Sequence, residues 1–258
     1  MDFIKTALVA VVGGVVGAAA LEGVHRYVPA KTGASAELQA TMRDYIVNHP
    51  EVLQEAMAEF EKRQQVAEGE KARSAVKNHS DAIFNSPRQV TVGDRQGDVT
   101  LVEFFDYNCG YCKQALGDLN SLMNSDKKLR VVLKEFPVLG PGSVEAAQVA
   151  VAVRMQDPTG EKYLAFHNKL LGSRGQADKA KALAAANEVG IDMAKLDSDM
   201  GSDEAKATIE ENFKLAEQLG LNGTPSYVVG SDVVVGAVGL AALKEKVKAA
   251  RCGATASC

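Results

Sequence analysis

The first apolar segment of the chain runs from Ala7 through Val12 and on past Gly13 to Leu21, with Lys5 ahead of it. It is shorter than the roughly 20 residues a relaxed spanning helix needs. A charged start, an apolar centre and the small residues Ala18-Ala19-Ala20 read as a secretory signal over residues 1–21. Asp2 weakens the positive start, so an uncleaved signal anchor is the alternative. Residues 22–36, with Pro29, Lys31 and Gly33, follow as a tether. Apolar residues then fall at helical spacing, at Leu38, Met42, Tyr45 and Ile46 and again at Val52, Leu53, Ala56, Met57 and Phe60. Asn48-His49-Pro50 separates the two runs, because proline starts helices well and is poorly tolerated inside them. After Phe60 the stripe fades into good helix formers with few apolar positions, which predicts a charged helical linker over 66–88. The helical pair at 37–65 cannot bury its apolar stripe alone, and self-association is the expected cover.

A compact domain is expected over 89–250. Thr100 to Asp106 is an apolar β-type run, and Lys113 to Asn124 has helical periodicity. Arg130 to Phe136 predicts a second strand, closed by Pro137 and a Gly140-Pro141-Gly142 turn. From about 143 to 220 the sequence is alanine-rich and helical, with breaks near Pro158, Gly172 to Gly175, Gly190 and Gly201. Strand character returns at Tyr227-Val228-Val229 and Val233-Val234-Val235, and Leu240 to Ala250 predicts a last helix. Strand, helix, strand, helical block, strand, strand, helix is the order of an α/β thioredoxin-type core with helices inserted in its middle. Residues 251–258 remain as a cysteine-containing tail.

Composition changes little in this picture. The 258 residues are 46% hydrophobic and carry a formal net charge of −4, which argues against a nucleic-acid partner. The four cysteines matter more. In the oxidising compartment that a secretory signal implies, an even count fits two pairs, and the spacing suggests Cys109 with Cys112 and Cys252 with Cys258. A small disulfide ring is the plain reading of the tail pair; soft-metal binding and free reactive thiols are the alternatives.

Cys109-Gly110-Tyr111-Cys112 is where the chemistry lies. A zinc site needs four ligands, and no second matching pair exists; His79 and His167 have no ligand-like spacing and read as surface or packing residues. A strand running into Cys109 and a helix starting there put the thiol at a helix N-terminus, where unpaired N–H groups and the dipole favour a thiolate. Cysteines so placed fall from a pKa of about 8.5 to about 3.5–7.5. Cys112, one turn on, is placed to resolve a mixed disulfide formed at Cys109. Gly110-Tyr111 offers neither charge nor histidine to the thiolate, so the couple is expected to be less oxidising than one with histidine between the cysteines.

Glu103-Phe104-Phe105-Asp106-Tyr107-Asn108-Cys109-Gly110-Tyr111-Cys112, with Gly223-Thr224-Pro225 later, resembles the DsbA-like branch of the thioredoxin superfamily over about 90–250. The Cys-Gly-Tyr-Cys quartet with a later Thr-Pro also resembles the bacterial disulfide isomerase DsbC. Asp44 to Leu53, within 37–65, resembles the N-terminal oligomerisation region of ScsC-type (suppressor of copper sensitivity) proteins, a layout that Com1-type proteins share. The resemblance implies that Pro225 is a cis-proline facing the active site, with the Thr224 backbone free to pair with an extended substrate. It also implies that Glu103 is a buried acid moving protons for Cys112.

The function expected is therefore a periplasmic or cell-envelope thiol–disulfide oxidoreductase, an isomerase or reductase acting on secreted proteins with no cofactor. A reductase in the membrane is the partner expected, and the active form is a homo-oligomer such as a trimer. The alternatives are a DsbA-type oxidase and a copper-sequestering thiol protein.

Overall fold

The computed structural model describes residues 34–253. The expected signal segment at 1–21 and the final residue Cys258 lie outside the described residues. The chain divides into two compact units at Gln64 and Gln65. Helix α1 (Ala34–Asn48) and the part of helix α2 (Pro50–Asn78) up to Gln64 belong to the first, with one residue between the two helices, and proline takes the first helical position where it lacks no bond. Leu38, Met42, Tyr45, Val47, Leu53, Met57 and Phe60 are all exposed there.

In the second unit a five-stranded sheet has the order β1-β3-β2-β4-β5. Its strands are β1 (Val90–Gly93), β2 (Val99–Phe105), β3 (Leu129–Glu135), β4 (Ser226–Val229) and β5 (Asp232–Val235). β2 and β3 are parallel, joined by the crossover helix α4 (Gly110–Ser125), and the other pairings are antiparallel. A short helix α3 (Ser80–Phe84) precedes β1. Between β3 and β4 come α5 (Pro141–Gln156), α6 (Glu161–Leu171), α7 (Lys179–Glu188), α8 (Met193–Met200) and α9 (Asp203–Gln218); α10 (Leu240–Cys252) ends the described chain. The helices break where proline, glycine or a capping side chain stands: Asp178, Asp192 and Ser202 each accept from backbone N–H groups of the next helix.

The sheet is covered on both faces, so β2 and β3 are almost continuously buried rather than alternating. Successive side chains still point to opposite faces. Leu101 and Phe105 of β2 join Leu129, Val131 and Leu133 in one core with Cys112, Leu119 and Leu122 of α4. Val102 and Phe104 join Val132 and Val228 in the other, under Leu215 of α9 and Leu219 just past its end. Glu103 shares the face of Leu101 and Phe105, and that alternation puts a carboxyl beneath the helix that begins at Cys109.

Three local features differ from the sequence reading. The stretch expected as a polar spacer ends in the core: Val76 and Ile83 are 3% and 0% exposed and pack with Phe104 and Leu215. Pro141 and Gly142, expected in a turn, form the first turn of α5. β1 has no counterpart in the expected order, because four residues are too few to show a period. Its last residue, Gly93, has φ +73°, and a Cβ there would stand 2.5 Å from the Leu129 carbonyl oxygen, so the strand ends on a residue that only glycine fits.

Candidate active site

Cys109 is the N-cap of α4, in an extended conformation, and its Sγ accepts from the Cys112 backbone N–H at 3.4 Å. Its own N–H donates to the Asp106 carbonyl at 3.1 Å, closing the turn between β2 and the helix. The S–H donates to the Thr224 carbonyl at 3.2 Å, and Thr224-Pro225 is a cis peptide. Both cysteines are free thiols. Cys109 is 6% exposed and Cys112 is fully buried, which leaves the first thiol as the accessible one. Burial, helped by the nearby Glu103 carboxyl, pushes the Cys112 thiol well above its ordinary range. Cys112 therefore needs a proton acceptor before it can act as a nucleophile.

Glu103 is 2% exposed and burial pushes its carboxyl up to about 8. It is the Cα partner of Tyr227 across the β2–β4 ladder. The phenol stands close enough to ease the carboxyl down slightly, but no hydrogen bond of good geometry closes between them. Glu103 Oε2 and the Tyr227 hydroxyl are both buried without a partner. An acid that is half-ionised near pH 8 and close to the buried thiol is suited to pass a proton.

The sequence reading missed the loop that holds Cys109. Asp106 Oδ1 accepts from Asn108 N and from Ser143 Oγ, both at 2.7 Å, and Oδ2 accepts from Leu139 N at 2.9 Å. Asn108 bonds the backbone of Ala177 through both ends of its amide. An Asp-x-Asn pair directly before the first cysteine was the available signal, since both side chains bond nearby backbone. Ser143 and Ala177 carried none. Tyr107, between the two, is buried with its ring on Phe105, Phe166 and His167. His167 is itself wholly buried, and desolvation holds it down to about 3. Beside this cluster lies a second buried acid, Glu135, which accepts from the Tyr163 hydroxyl and is raised by burial.

Tyr111 is 68% exposed beside the thiols, and a Cβ at Gly110 would touch nothing. Cys252 is disulfide-bonded at the end of α10. Two surface depressions, one lined by Asn120, Asn124 and Lys127 and one by Glu68, Glu217 and Asn222, include neither cysteine of the pair.

Residues 100–248 match the DSBA-like thioredoxin domain, and residues 35–67 match the Copper resistance protein ScsC N-terminal domain. A thioredoxin-like oxidoreductase from Silicibacter pomeroyi is 44% identical, with a TM-score of 0.63 over 66% of this chain and 96% of its own. A linker-deleted mutant of Proteus mirabilis ScsC is 28% identical, with a TM-score of 0.63 over 86% of this chain and 97% of its own. A periplasmic thioredoxin-like protein from Salmonella enterica serovar Typhimurium is 31% identical, with a TM-score of 0.61 over 67% and 95%. Among curated proteins, the thiol:disulfide interchange protein DsbA of Bordetella pertussis is 28% identical over 53% of this chain and 66% of its own. A Na(+)/H(+) antiporter NhaA 1 of Salinispora arenicola is 27% identical over 62% of this chain, which spans only 24% of that protein. No helix among the described residues is long and apolar enough to cross a membrane. The chain belongs to the DsbA-like thioredoxin-domain family of thiol–disulfide oxidoreductases, preceded by an ScsC-type N-terminal domain.

Proposed function

We propose that this protein is a periplasmic disulfide isomerase and reductase that works on misplaced disulfides of secreted proteins as a self-associated assembly of its 37–65 regions. The Cys109 thiolate attacks a substrate disulfide, forming the Cys109–substrate bond and releasing the second substrate sulfur as a thiolate. In isomerisation that thiolate attacks another substrate disulfide, and the substrate thiolate released there attacks the Cys109–substrate bond and expels the Cys109 thiolate, so the enzyme leaves unchanged. In reduction Cys112 gives its proton to Glu103, attacks Cys109 Sγ and expels the substrate sulfur, so the substrate gains the two electrons that the enzyme pair loses. A membrane reductase returns those electrons.

Thr224 links recognition to ionisation. Its carbonyl accepts from the Cys109 S–H, so loss of that proton frees the carbonyl for a backbone N–H of an extended substrate. The observation that carries the direction of the reaction is the apolar stripe of α1 and early α2, with Met42, Tyr45, Leu53 and Phe60 all more than half exposed in the single chain. Such a stripe needs a partner, and a second copy is the partner that always accompanies it. Copies joined there present several Cys109 sites to one substrate and keep it captured through repeated attacks. The periplasmic setting is supported by the secretory reading of residues 1–21 and by the similarity to the periplasmic thioredoxin-like protein of Salmonella.

Refolding of scrambled ribonuclease tests this, with the whole chain compared with one lacking residues 1–64, the first compact unit. The whole chain is expected to sediment as an oligomer and restore ribonuclease activity. The shortened chain is expected to be a monomer that still reduces insulin but isomerises at least tenfold more slowly. Equal isomerase rates would remove the assembly from the mechanism.

A further inference from the structure

Each of the three residues before Cys109 turns its side chain into the inserted helices. Asp106 holds Ser143 at the start of α5 and Leu139 just ahead of it. Tyr107 lies on Phe166 and His167 of α6. Asn108 spends its whole amide on the other side of the boundary. Its Nδ2 donates to the Ala177 carbonyl and to Ser143 Oγ, each at 2.9 Å, and its Oδ1 accepts from the Ala177 N–H at 2.7 Å.

Ala177 is fully buried in the connection between α6 and α7, outside any helix or strand. Both of its backbone groups would be costly to leave unpaired, and one side chain satisfies both. Asn108 thus stands in for a neighbouring strand. Only a side chain with a donor and an acceptor on one short stem does this: aspartate lacks the donor and would put a second carboxylate beside Asp106, and leucine lacks both.

We propose that Asn108 is a positioning residue for the thiol, coupling the placement of Cys109 at the α4 N-terminus to the inserted helices through the Ala177 backbone. Cys109 owes its site to two neighbours: the turn closed by its N–H on the Asp106 carbonyl, and the Cys112 N–H that bonds its sulfur. That turn is pinned through Asp106 and Asn108, and both pins end in the inserted helices. A shift of the segment at 177 therefore carries to the sulfur and weakens the N–H contact that favours its thiolate. Gly142 gives a second handle on the same segment from outside the loop. A Cβ there would stand 2.8 Å from Gln176 Nε2 and 3.3 Å from the Ala177 oxygen, so Gly142→Ala pushes on the residue that Asn108 holds.

The test uses the full chain as wild type, Asn108→Leu, Asn108→Ser and Gly142→Ala. Two quantities are read: the iodoacetamide alkylation rate of Cys109 at neutral pH, followed by peptide mass, and the thiol–disulfide equilibrium with glutathione. Asn108→Leu is expected to slow alkylation and shift the equilibrium towards the disulfide by about tenfold, the equivalent of one lost hydrogen bond. Gly142→Ala is expected to move both in the same direction by less, and Asn108→Ser to retain part of the wild-type rate. Circular dichroism melting separates these shifts from loss of fold. Folded variants that alkylate and equilibrate as wild type would overturn the proposal, even with lowered melting temperatures. Should Asn108→Leu fail to fold, Gly142→Ala decides in the same two readouts. The inference rests on Cys109 as the working thiol, but alkylation needs no enzyme turnover. A wild-type chain inactive on insulin whose Asn108 variants still alkylate slowly would defeat the proposed function and leave this coupling standing.

Discussion

Glu103 and Tyr227 face each other across the β2–β4 ladder as Cα partners, each with a buried oxygen that no other group satisfies. Beside them Cys112 is buried and hard to ionise. The arrangement makes the second step of thiol exchange depend on Glu103. With the carboxyl near 8, it is protonated below that pH and able to take the Cys112 proton above it. Release of a Cys109 mixed disulfide by Cys112 is therefore expected to speed up as pH rises through about 8. Glu103→Gln is expected to flatten that rise and slow release by about a hundredfold, within the range for a positioned base. Tyr227→Phe removes the phenol that eases the carboxyl down, so the inflection is expected to move to higher pH. Stopped-flow release from a model mixed disulfide, followed across pH 6 to 10, checks both. An unchanged inflection in Glu103→Gln would assign the proton to another group.

The same burial has a thermodynamic face. Glu103 holds its proton in the folded chain up to about 8, whereas its ordinary value is 4.5, so between those values the unfolded chain is the more ionised. Its share of stability is full below 4.5 and is lost as pH rises to 8, at roughly 1.4 kcal/mol per pH unit. His167 works the other way. It stays neutral in the fold down to about 3 against an ordinary 6.5, so its share is full above 6.5 and is lost as pH falls towards 3. Between about 4.5 and 6.5 the two slopes oppose each other. Urea unfolding of His167→Phe is expected to keep the loss above 6.5 and to shed the loss below 4.5 that this histidine causes. Glu103→Gln is expected to do the reverse and to be more stable than wild type at pH 8. A Glu103→Gln chain weaker than wild type at pH 8 would mean that the carboxylate is paired in the fold.

Removing the resolving thiol separates the two steps. Cys112→Ser leaves the cap bond to Cys109 in place, since that bond comes from the backbone N–H of residue 112. The variant is expected to attack substrate disulfides at close to the wild-type rate and then to accumulate a covalent complex, visible as a reductant-sensitive band. Cys109→Ser is expected to give no complex. A complex through Cys112 in that variant would reverse the roles of the two thiols.

Much of this organisation could be read from residue patterns, and the failures have a physical reason. β2, β3 and α4 announced themselves through long apolar runs and a helical period, and the pair at Cys109 through its place between a strand and a helix. Glu103 was reached through the family resemblance, with the flanking Val102 and Phe104 favouring burial over an exposed strand face. Asn108, Ser143 and Ala177 were not visible together, because they meet across separations of 35 and 69 residues that no local period encodes. Tyr227 was read only as part of a strand; its pairing with Glu103 is a matter of register.

Ile83 shows the same limit in the core and yields the last prediction. The stretch from Glu61 to about Asn85 has too few apolar residues to show a stripe, and so it read as a solvated spacer. Its far end nonetheless places Ile83, wholly buried, against Phe104 and Leu215, while Lys134 Nζ donates to the neighbouring Ala82 carbonyl at 2.9 Å. One isoleucine in the right place fixes a helix that composition assigns to solvent. Ile83→Ala is expected to lower unfolding free energy by about 2–5 kcal/mol, the usual range for truncating a buried aliphatic side chain. Lys77→Ala, on the exposed side of α2, is expected to change it by less than about 0.5 kcal/mol. Chemical denaturation of the two variants checks the contrast. If Ile83→Ala is as stable as wild type, the stretch before β1 is a spacer after all, and the face of the sheet under Phe104 is held by α9 alone.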